Sequence, residues 1–435
     1  ADQAPRRLLT RASVLALFAL GMATLYPTGL TWNLTKMTLG VFRIALAKTV
    51  LDQETWGEPD LLYYKDGLST TVSVERWGRH HTLKNNGKVE ASNGDDMATQ
   101  IMVAALPILL HPNGARGLDT AIIGFGSGVT VGAAQQFPVR SVEAIELERS
   151  VMEASQLFAD VNHLRYTLHD YPYTKTPRLT VINDDGRNYL ASIEKRYDVI
   201  IGEPSNPWLT GVADLFTVDH FRAAKRRLRP GGVYCEWVQL YEISPENVKT
   251  IYRSFVSQFK HVIVFSEDDL SSDTVLIGSD TPLTLDLARI RRVFSEPDVA
   301  LELKRATIRS PFDVLARVLF ASKAEVLQYA QLESRLRNGR FVADPGSTNQ
   351  APCPPATCRR EPAPLNTDDN ALIEFAAPRD LIGFERYKGY LKTIYAQDWP
   401  YGSLGSQVSG FGEGEQRAQN YAELSMALLA HGRKN

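Results

Sequence analysis

Residues Leu118 to Glu148 read LDTAIIGFGSGVTVGAAQQFPVRSVEAIELE, and the reading of this stretch decides the fold. Ala121, Ile122 and Ile123 form a short apolar, β-prone run that stops at Gly124-Phe125-Gly126-Ser127-Gly128, after which Val129 to Gln136 can continue as a helix. Glycine has no Cβ, so a ligand can lie directly against the backbone of such a turn. A second strand, Val142 to Leu147, carries Glu146 near its end, twenty residues past Gly126 (146 minus 126). An acid there can accept both hydroxyls of a ribose. A dinucleotide fingerprint would need its third glycine at Val129, and the valine there, beside Gly128, argues against NAD or FAD. A nucleoside without a pyrophosphate, of the S-adenosylmethionine type, fits better. A strand–helix–strand unit that merely needs a tight turn is the plainer alternative, and the residues downstream weigh against it.

Downstream, Ser150 to Phe158 reads as a helix and Leu179 to Ile182 as a third strand, ending in Asn183-Asp184-Asp185-Gly186. Acids at that edge can accept the exocyclic amine of adenine. Asp184 also fits an N-cap for the following helix as well as Asp185 fits the ligand role. A fourth strand, Tyr197 to Ile201, runs into Gly202-Glu203-Pro204-Ser205-Asn206-Pro207-Trp208. Phe216 to Leu228 is the next helix, Val233 to Val238 the fifth strand, and Val262 to Phe265 with Thr274 to Gly278 close the sheet as an antiparallel pair. Alternating strands and helices predict an α/β fold with a Rossmann-like, methyltransferase-type doubly wound sheet.

Upstream, Leu61 to Ser92 alternates in short runs broken by Asp66-Gly67, Trp77-Gly78 and Asn86-Gly87, which predicts a small antiparallel sheet of β-hairpins. His80 and His81 are adjacent on a strand and so face opposite ways, which disfavours a shared metal. Asp95 to Leu110 reads as a helix, acidic in its first turn, that Pro107 bends or ends. Nearer the start, 24 residues from Ala12 to Thr35 carry no charge, but only Val14 to Tyr26 is truly apolar. A membrane span, a signal-like segment and a buried or interfacial helix all remain open.

Beyond Asp280 the strand signals stop and helical patterns follow at Leu285 to Phe294, Pro311 to Ala321, Lys323 to Arg337 and Gln416 to His431, with a proline-rich loop at 339–370. Ala371 to Phe375 is strand-like. The organisation expected is therefore 1–53, helical and membrane-associated; 54–112, hairpins and a linking helix; 113–280, the nucleoside-binding domain; and 281–435, mostly helical. A net charge of -2 gives no electrostatic case for nucleic acid as a partner. Of the three cysteines, Cys235 sits alone in a strand, while Cys353 and Cys358 read first as unpaired loop thiols, with a local disulfide open to them only in an oxidising compartment. Further ligands for a zinc ion are not evident nearby, so no metal is expected.

With these residues in place, the chain from about Leu61 to Gly278 resembles the spermidine synthase family, the polyamine aminopropyltransferases, and in particular bacterial members attached to membrane segments. Asn86 to Glu90, Asp95-Asp96, Gln100, Leu106-Pro107, Gly124 to Gly128, Glu146 with Glu148, Asp185-Gly186 and Tyr197 to Ile200 carry the likeness. The resemblance implies decarboxylated S-adenosylmethionine, or S-adenosylmethionine, as co-substrate, held by Gln100, Gly124, Gly126, Gly128, Glu146, Asp184 and Asp185. It implies an amine acceptor near Glu90, Thr99, Trp208 and Tyr241, a homodimer, and a catalytic domain facing the cytoplasm, where the donor is made.

The departures fall on the amine half. Where the family reads Asp-Ser-Ser-Asp-Pro, this chain reads Glu203-Pro204-Ser205-Asn206-Pro207, and Asn206 can neither take a proton nor neutralise an ammonium. Glu203 and Asn206 are the expected catalytic pair, as base and as holder of the nitrogen. With one carboxylate in place of two, a smaller or less charged acceptor than putrescine or spermidine is expected. Thr99 stands where the family has a tyrosine, and Glu90 where it has a glutamine. Ser205-Asn206-Pro207-Trp208 also resembles the Asn-Pro-Pro-aromatic motif of amino-methyltransferases, with one proline fewer, so methyl or other alkyl transfer is the runner-up. A non-catalytic, membrane-anchored nucleoside-binding protein is the third reading.

Overall fold

The computed structural model describes residues 4–25, 32–40, 59–94, 96–164, 173–267, 273–344, 347, 349, 351–383 and 408–431. Asp95 and the stretch from Pro27 to Thr31 lie outside the described residues. Strands β1 (Asp60–Asp66), β2 (Thr71–Trp77), β3 (His80–Asn85) and β4 (Lys88–Ser92) pair in sequence as one antiparallel sheet. Asn86 and Gly87 both take positive φ, 50° and 80°, as a two-residue hairpin turn requires. His81 is anchored through Nδ1, 3.0 Å from the Leu157 carbonyl, whereas its neighbour His80 is exposed.

The larger sheet begins with β5 (Asp119–Ile123), β6 (Ser141–Glu146), β7 (Tyr173–Thr176) and β8 (Leu179–Asn183), and continues with β9 (Tyr197–Gly202), β10 (Leu228–Gln239), β11 (His261–Ser266) and β12 (Asp273–Ser279). After β13 (Leu285–Asp286), β14 (Val318–Phe320) joins it, and the spatial order is β14-β11-β12-β10-β9-β5-β6-β8-β7. The five strands from β10 to β8 run parallel. All five residues of β5 are buried, as expected of a strand covered on both faces. From β5 the chain winds one way to β6 and β8 and the other way to β9 and β10. The glycine turn after β5 therefore sits at the switch point, where carboxyl ends of parallel strands part and a crevice opens. This is the doubly wound sheet expected from the sequence.

The helix Met97–Leu110 packs across one face of this sheet, and every residue from Ala98 to Leu110 is buried. It runs three residues past Pro107 instead of ending there. Proline removes the N–H that would bond the Val103 carbonyl, and the Cys235 thiol reaches that oxygen instead, at 3.6 Å. The lone strand cysteine thus fills a vacancy made by the proline. The segment after β6 is an α-helix only over Arg149–Ala154 and tightens to a 3₁₀ turn over Ser155–Phe158.

The C-terminal region corrects the expectation that strands stop at Asp280. Pro311–Ala316 is a helix, but β14 follows it and pairs with β11. Lys323–Tyr329 is a helix, and then β15 (Gln331–Arg337) pairs with β16 (Arg340–Ala343) and β17 (Cys358–Pro362). Leu332 and Leu336, four residues apart, have helical spacing, and tertiary pairing overrides it. The strand-like run after Asn370 is a helix, Leu372–Gly383. Cys353 and Cys358 form a disulfide, contrary to the free-thiol reading, with Cα atoms 5.0 Å apart. The backbone causes it: Thr357 and Cys358 N–H both bond the Pro354 carbonyl, at 2.9 and 2.8 Å, closing a turn that returns one cysteine to the other. The last helix, Gly414–Ala430, packs on Pro311–Ala316.

The first helix, Ala4–Leu25, stands apart from this body. Val14, Leu15, Leu17, Phe18 and Leu20 are 60–69% exposed. No helix among the described residues is long and apolar enough to cross a membrane. The expectation of a span is not supported. Thr38, farther along, does belong to the fold: it is buried and its hydroxyl donates to Glu75 at 2.5 Å.

Candidate functional site

A cavity of about 1710 Å³ lies along the carboxyl ends of the parallel strands and under the small sheet. That exceeds the ~300–1,000 Å³ usual for one small ligand and leaves room for two. Glu90, Thr99, Gln100, Gly124, Gly126, Glu146, Asp185, Glu203, Trp208 and Tyr241 all line it.

At the nucleoside end, Gly124 takes φ 98°, and a Cβ there would lie 2.4 Å from the Glu203 carbonyl, so the turn can lie against the end of β9 only as glycine. Gly126, at φ 51°, would meet only the Ala91 Cβ, at 3.7 Å, and leaves the cavity floor open. Glu146 ends β6 with Oε2 accepting from the Phe125 N–H at 3.0 Å and Oε1 from the Glu148 N–H at 2.8 Å. Each oxygen keeps a lone pair for a ribose hydroxyl. Burial pushes the Glu146 carboxyl up to about 7, with Glu148 and Glu90 adding to the rise and the two backbone bonds opposing it.

Three expected residues stand elsewhere. Gly128 caps the helix Val129–Gln136 and faces Leu164 and Asn162, not the cavity. Asp184 is outside the cavity lining, its Oδ1 accepting from the Asp185 N–H at 2.8 Å. Asp185 itself is the N-cap, accepting from the Asn188 N–H at 2.7 Å, while also lining the cavity. One carboxylate therefore both caps the helix and lines the cavity, where the sequence divided cap and ligand position between neighbours. Asn206 is fully buried and does not line the cavity. Its carbonyl bonds the Leu209 N–H at 3.0 Å, in a turn that leaves Ser205 and Trp208 on the cavity wall and Asn206 behind them. Its side-chain amide lies beside Tyr241, which does line the cavity.

At the other end, Glu203 follows β9 directly. Burial first, then Asp96 and Asp273, push its carboxyl up to about 8, against a hydrogen bond from Thr130. Glu90 is less available than expected: Ser205 donates to both its oxygens, at 2.6 and 2.7 Å, and Lys88 pairs with it at 3.0 Å. Burial pulls the Lys88 ammonium down, but Glu90 and then Tyr241 and Glu242 outweigh it, so Lys88 stays charged.

Asp96, Lys88, Trp237 and Asp273 complete this end, and sequence reasoning assigned none of them to the site. Asp96 accepts from the Ser92 N–H at 2.7 Å. Its place beside Ser92 is legible only as an N-terminal helix acid. Asp273 had no signal, since strand pairing alone brings it here.

Residues 96–266 match the family model described as Spermine/spermidine synthase domain. A spermidine synthase from Dictyostelium discoideum is 27% identical over 170 residues, 39% of this chain and 56% of that protein. Polyamine aminopropyltransferase 1 of Pseudomonas aeruginosa is 30% identical over 159 residues, 36% of this chain and 51% of the relative. A spermidine synthase structure from Thermotoga maritima aligns with TM-score 0.42 at 20% identity, covering 51% of this chain and 73% of that one. The protein carries a spermidine synthase-like domain. The chain spans about half the length of the curated relatives it matches.

Proposed function

We propose that the protein transfers an aminopropyl group from decarboxylated S-adenosylmethionine to an amine. A single cavity that joins the Glu146–Asp185 end to a half-buried Glu203 carries this reading. The amine nitrogen attacks the methylene carbon bonded to the sulfonium. The C–S bond breaks with its electrons left on sulfur, releasing methylthioadenosine, and the proton shed by nitrogen passes to the Glu203 carboxylate. The chain's part is orientation and proton acceptance. Methyl transfer through the Asn206 motif is the runner-up, with Asn206 beside Tyr241 but outside the cavity lining. Incubation with decarboxylated or intact S-adenosylmethionine and a panel of amines, read by product mass, decides the matter. An aminopropyl adduct is expected, and a methyl adduct or free thioether alone would overturn the reading.

The nucleoside end is tested separately. Glu146→Ala is expected to weaken methylthioadenosine binding roughly 10- to 100-fold by calorimetry, the effect of losing charged hydrogen bonds. Binding indifferent to Glu146 would remove the central claim.

We propose further that Ala4–Leu25 rests its apolar side chains in a membrane interface, with the transferase domain on the cytoplasmic side where the donor is made. Each large side chain taken out of water gains about 1.5–3 kcal/mol. The Cys353–Cys358 disulfide, a bond that persists in oxidising compartments, is a feature set against that side. A chain of residues 32–435 keeps Thr38 and is expected to stay folded without detergent while losing the liposome binding of the full chain. Aggregation of that truncation, or a full chain indifferent to liposomes, would show the helix to belong to the protein core or to water.

A further inference from the structure

Resting on the transferase reading, we propose that Asp273 binds an ammonium group of the acceptor, supplying from β12 the second carboxylate that the loop after β9 lacks. Asp273 opens β12 opposite Gln239 of β10, and its side chain lines the same cavity as Glu203. The Trp237 indole N–H donates to Oδ1 at 3.2 Å and the Thr99 hydroxyl to Oδ2 at 3.0 Å. Gly202, the last residue of β9, pairs with Glu236 of β10, and Glu203 and Trp237 each follow one member of that pair into the cavity lining. Trp237 is bonded in turn to Asp273. Glu203, Trp237 and Asp273 thus line one volume.

The ligand this end fits is a cation. Asp96, Glu203 and Asp273 share the cavity, and each of Asp96 and Asp273 disfavours ionisation of Glu203. An ammonium relieves that repulsion, and a neutral ligand does not. Trp208, Trp237 and Tyr241 line the same space, and aromatic faces attract cations. Lys88 is hydrogen-bonded to Glu90, and its charge favours the ionised forms of Asp273 and Asp96 without bonding either. With Asp273 counted, the expectation of a less charged acceptor reverses. A diamine, with one nitrogen freed for attack beside Glu203 and the other held at Asp273, is favoured over a monoamine.

The competing role for Asp273 is a tie between the helix Met97–Leu110 and β12. Asparagine would preserve that tie, since its oxygen can accept from Trp237 and its amide can donate to Thr99. The test titrates the full chain, saturated with methylthioadenosine, with 1,4-diaminobutane and with 1-aminobutane. Wild type is expected to prefer the diamine. Asp273→Asn is expected to weaken the diamine roughly 10- to 100-fold, to narrow the gap to the monoamine and to keep methylthioadenosine affinity, while Asp273→Glu recovers part of the loss. Diamine binding unchanged in a folded Asp273→Asn overturns the proposal, as does wild type binding methylthioadenosine but no diamine. If Asp273→Asn does not fold, a folded Asp273→Glu without diamine affinity overturns it. Wild type that binds no methylthioadenosine overturns the transferase reading and this inference together.

Discussion

Glu203→Gln is expected to lower turnover by ~10²–10⁴, the usual worth of a general base, while methylthioadenosine binding stays near wild type. The amine is mostly protonated near neutrality and must lose a proton before or as it attacks. Glu203 is the carboxyl that follows β9 into the cavity, and glutamine keeps its shape without its basicity. The pH profile carries the sign. Burial with Asp96 and Asp273 nearby holds the free Glu203 up to about 8, so kcat/KM should climb toward pH 8 as the carboxylate forms. In the Gln variant that limb should vanish, leaving only the ionisation of the amine itself. A variant within a few-fold of wild type, or one with the limb intact, would remove Glu203 from the role.

The second large effect is on stability without ligand. Glu203 and Glu146, ordinarily near 4.5, are held up to about 8 and about 7, chiefly by burial. The folded protein therefore keeps protons that the unfolded chain has lost, and stability falls as pH rises through these values. Below pH 6.5 the signal is mixed: burial lowers His220 to about 3, which makes stability rise with pH up to the ordinary histidine value. Above pH 8, Lys249, lowered to about 8 by burial, acts in the same rising direction. The clean window is pH 6.5 to 8, over which the unliganded protein should lose about 2 kcal/mol. Urea midpoints at the two ends of the window measure it. Glu203→Gln should flatten most of the slope, and a saturating diamine should do the same by favouring the ionised form. Stability that rises or holds level across this window would show that Glu203 and Glu146 are not buried as acids.

Alternation of strand and helix from Leu118 to Val238, the glycine turn and Glu146 were legible from the sequence because each depends on local pattern: burial period, absence of a Cβ, position at a strand end. The Asp66 to Gly87 turns were legible for the same reason. The helix Leu372–Gly383 and strands β14 to β17 were not, since short runs of mixed character take the structure their neighbours impose. The Cys353–Cys358 bond depended on a turn at Pro354 that composition does not specify. In the site, sequence order pointed to Asn206, three residues past Glu203, but the lining takes Glu203, Pro204, Ser205 and Trp208 from this loop, and the turn from Asn206 to Leu209 leaves Asn206 out of it. Asp273 lies seventy residues beyond Glu203 (273 minus 203) and reaches the cavity only because β12 folds back antiparallel on β10. The sequence by itself determined which carboxyl stands beside the glycine turn, since that residue and the turn it serves share one βαβ unit. Which carboxyls join Glu203 in the cavity was decided by tertiary structure alone, because strands remote in the chain must pair before those charges can share one volume and shift one another.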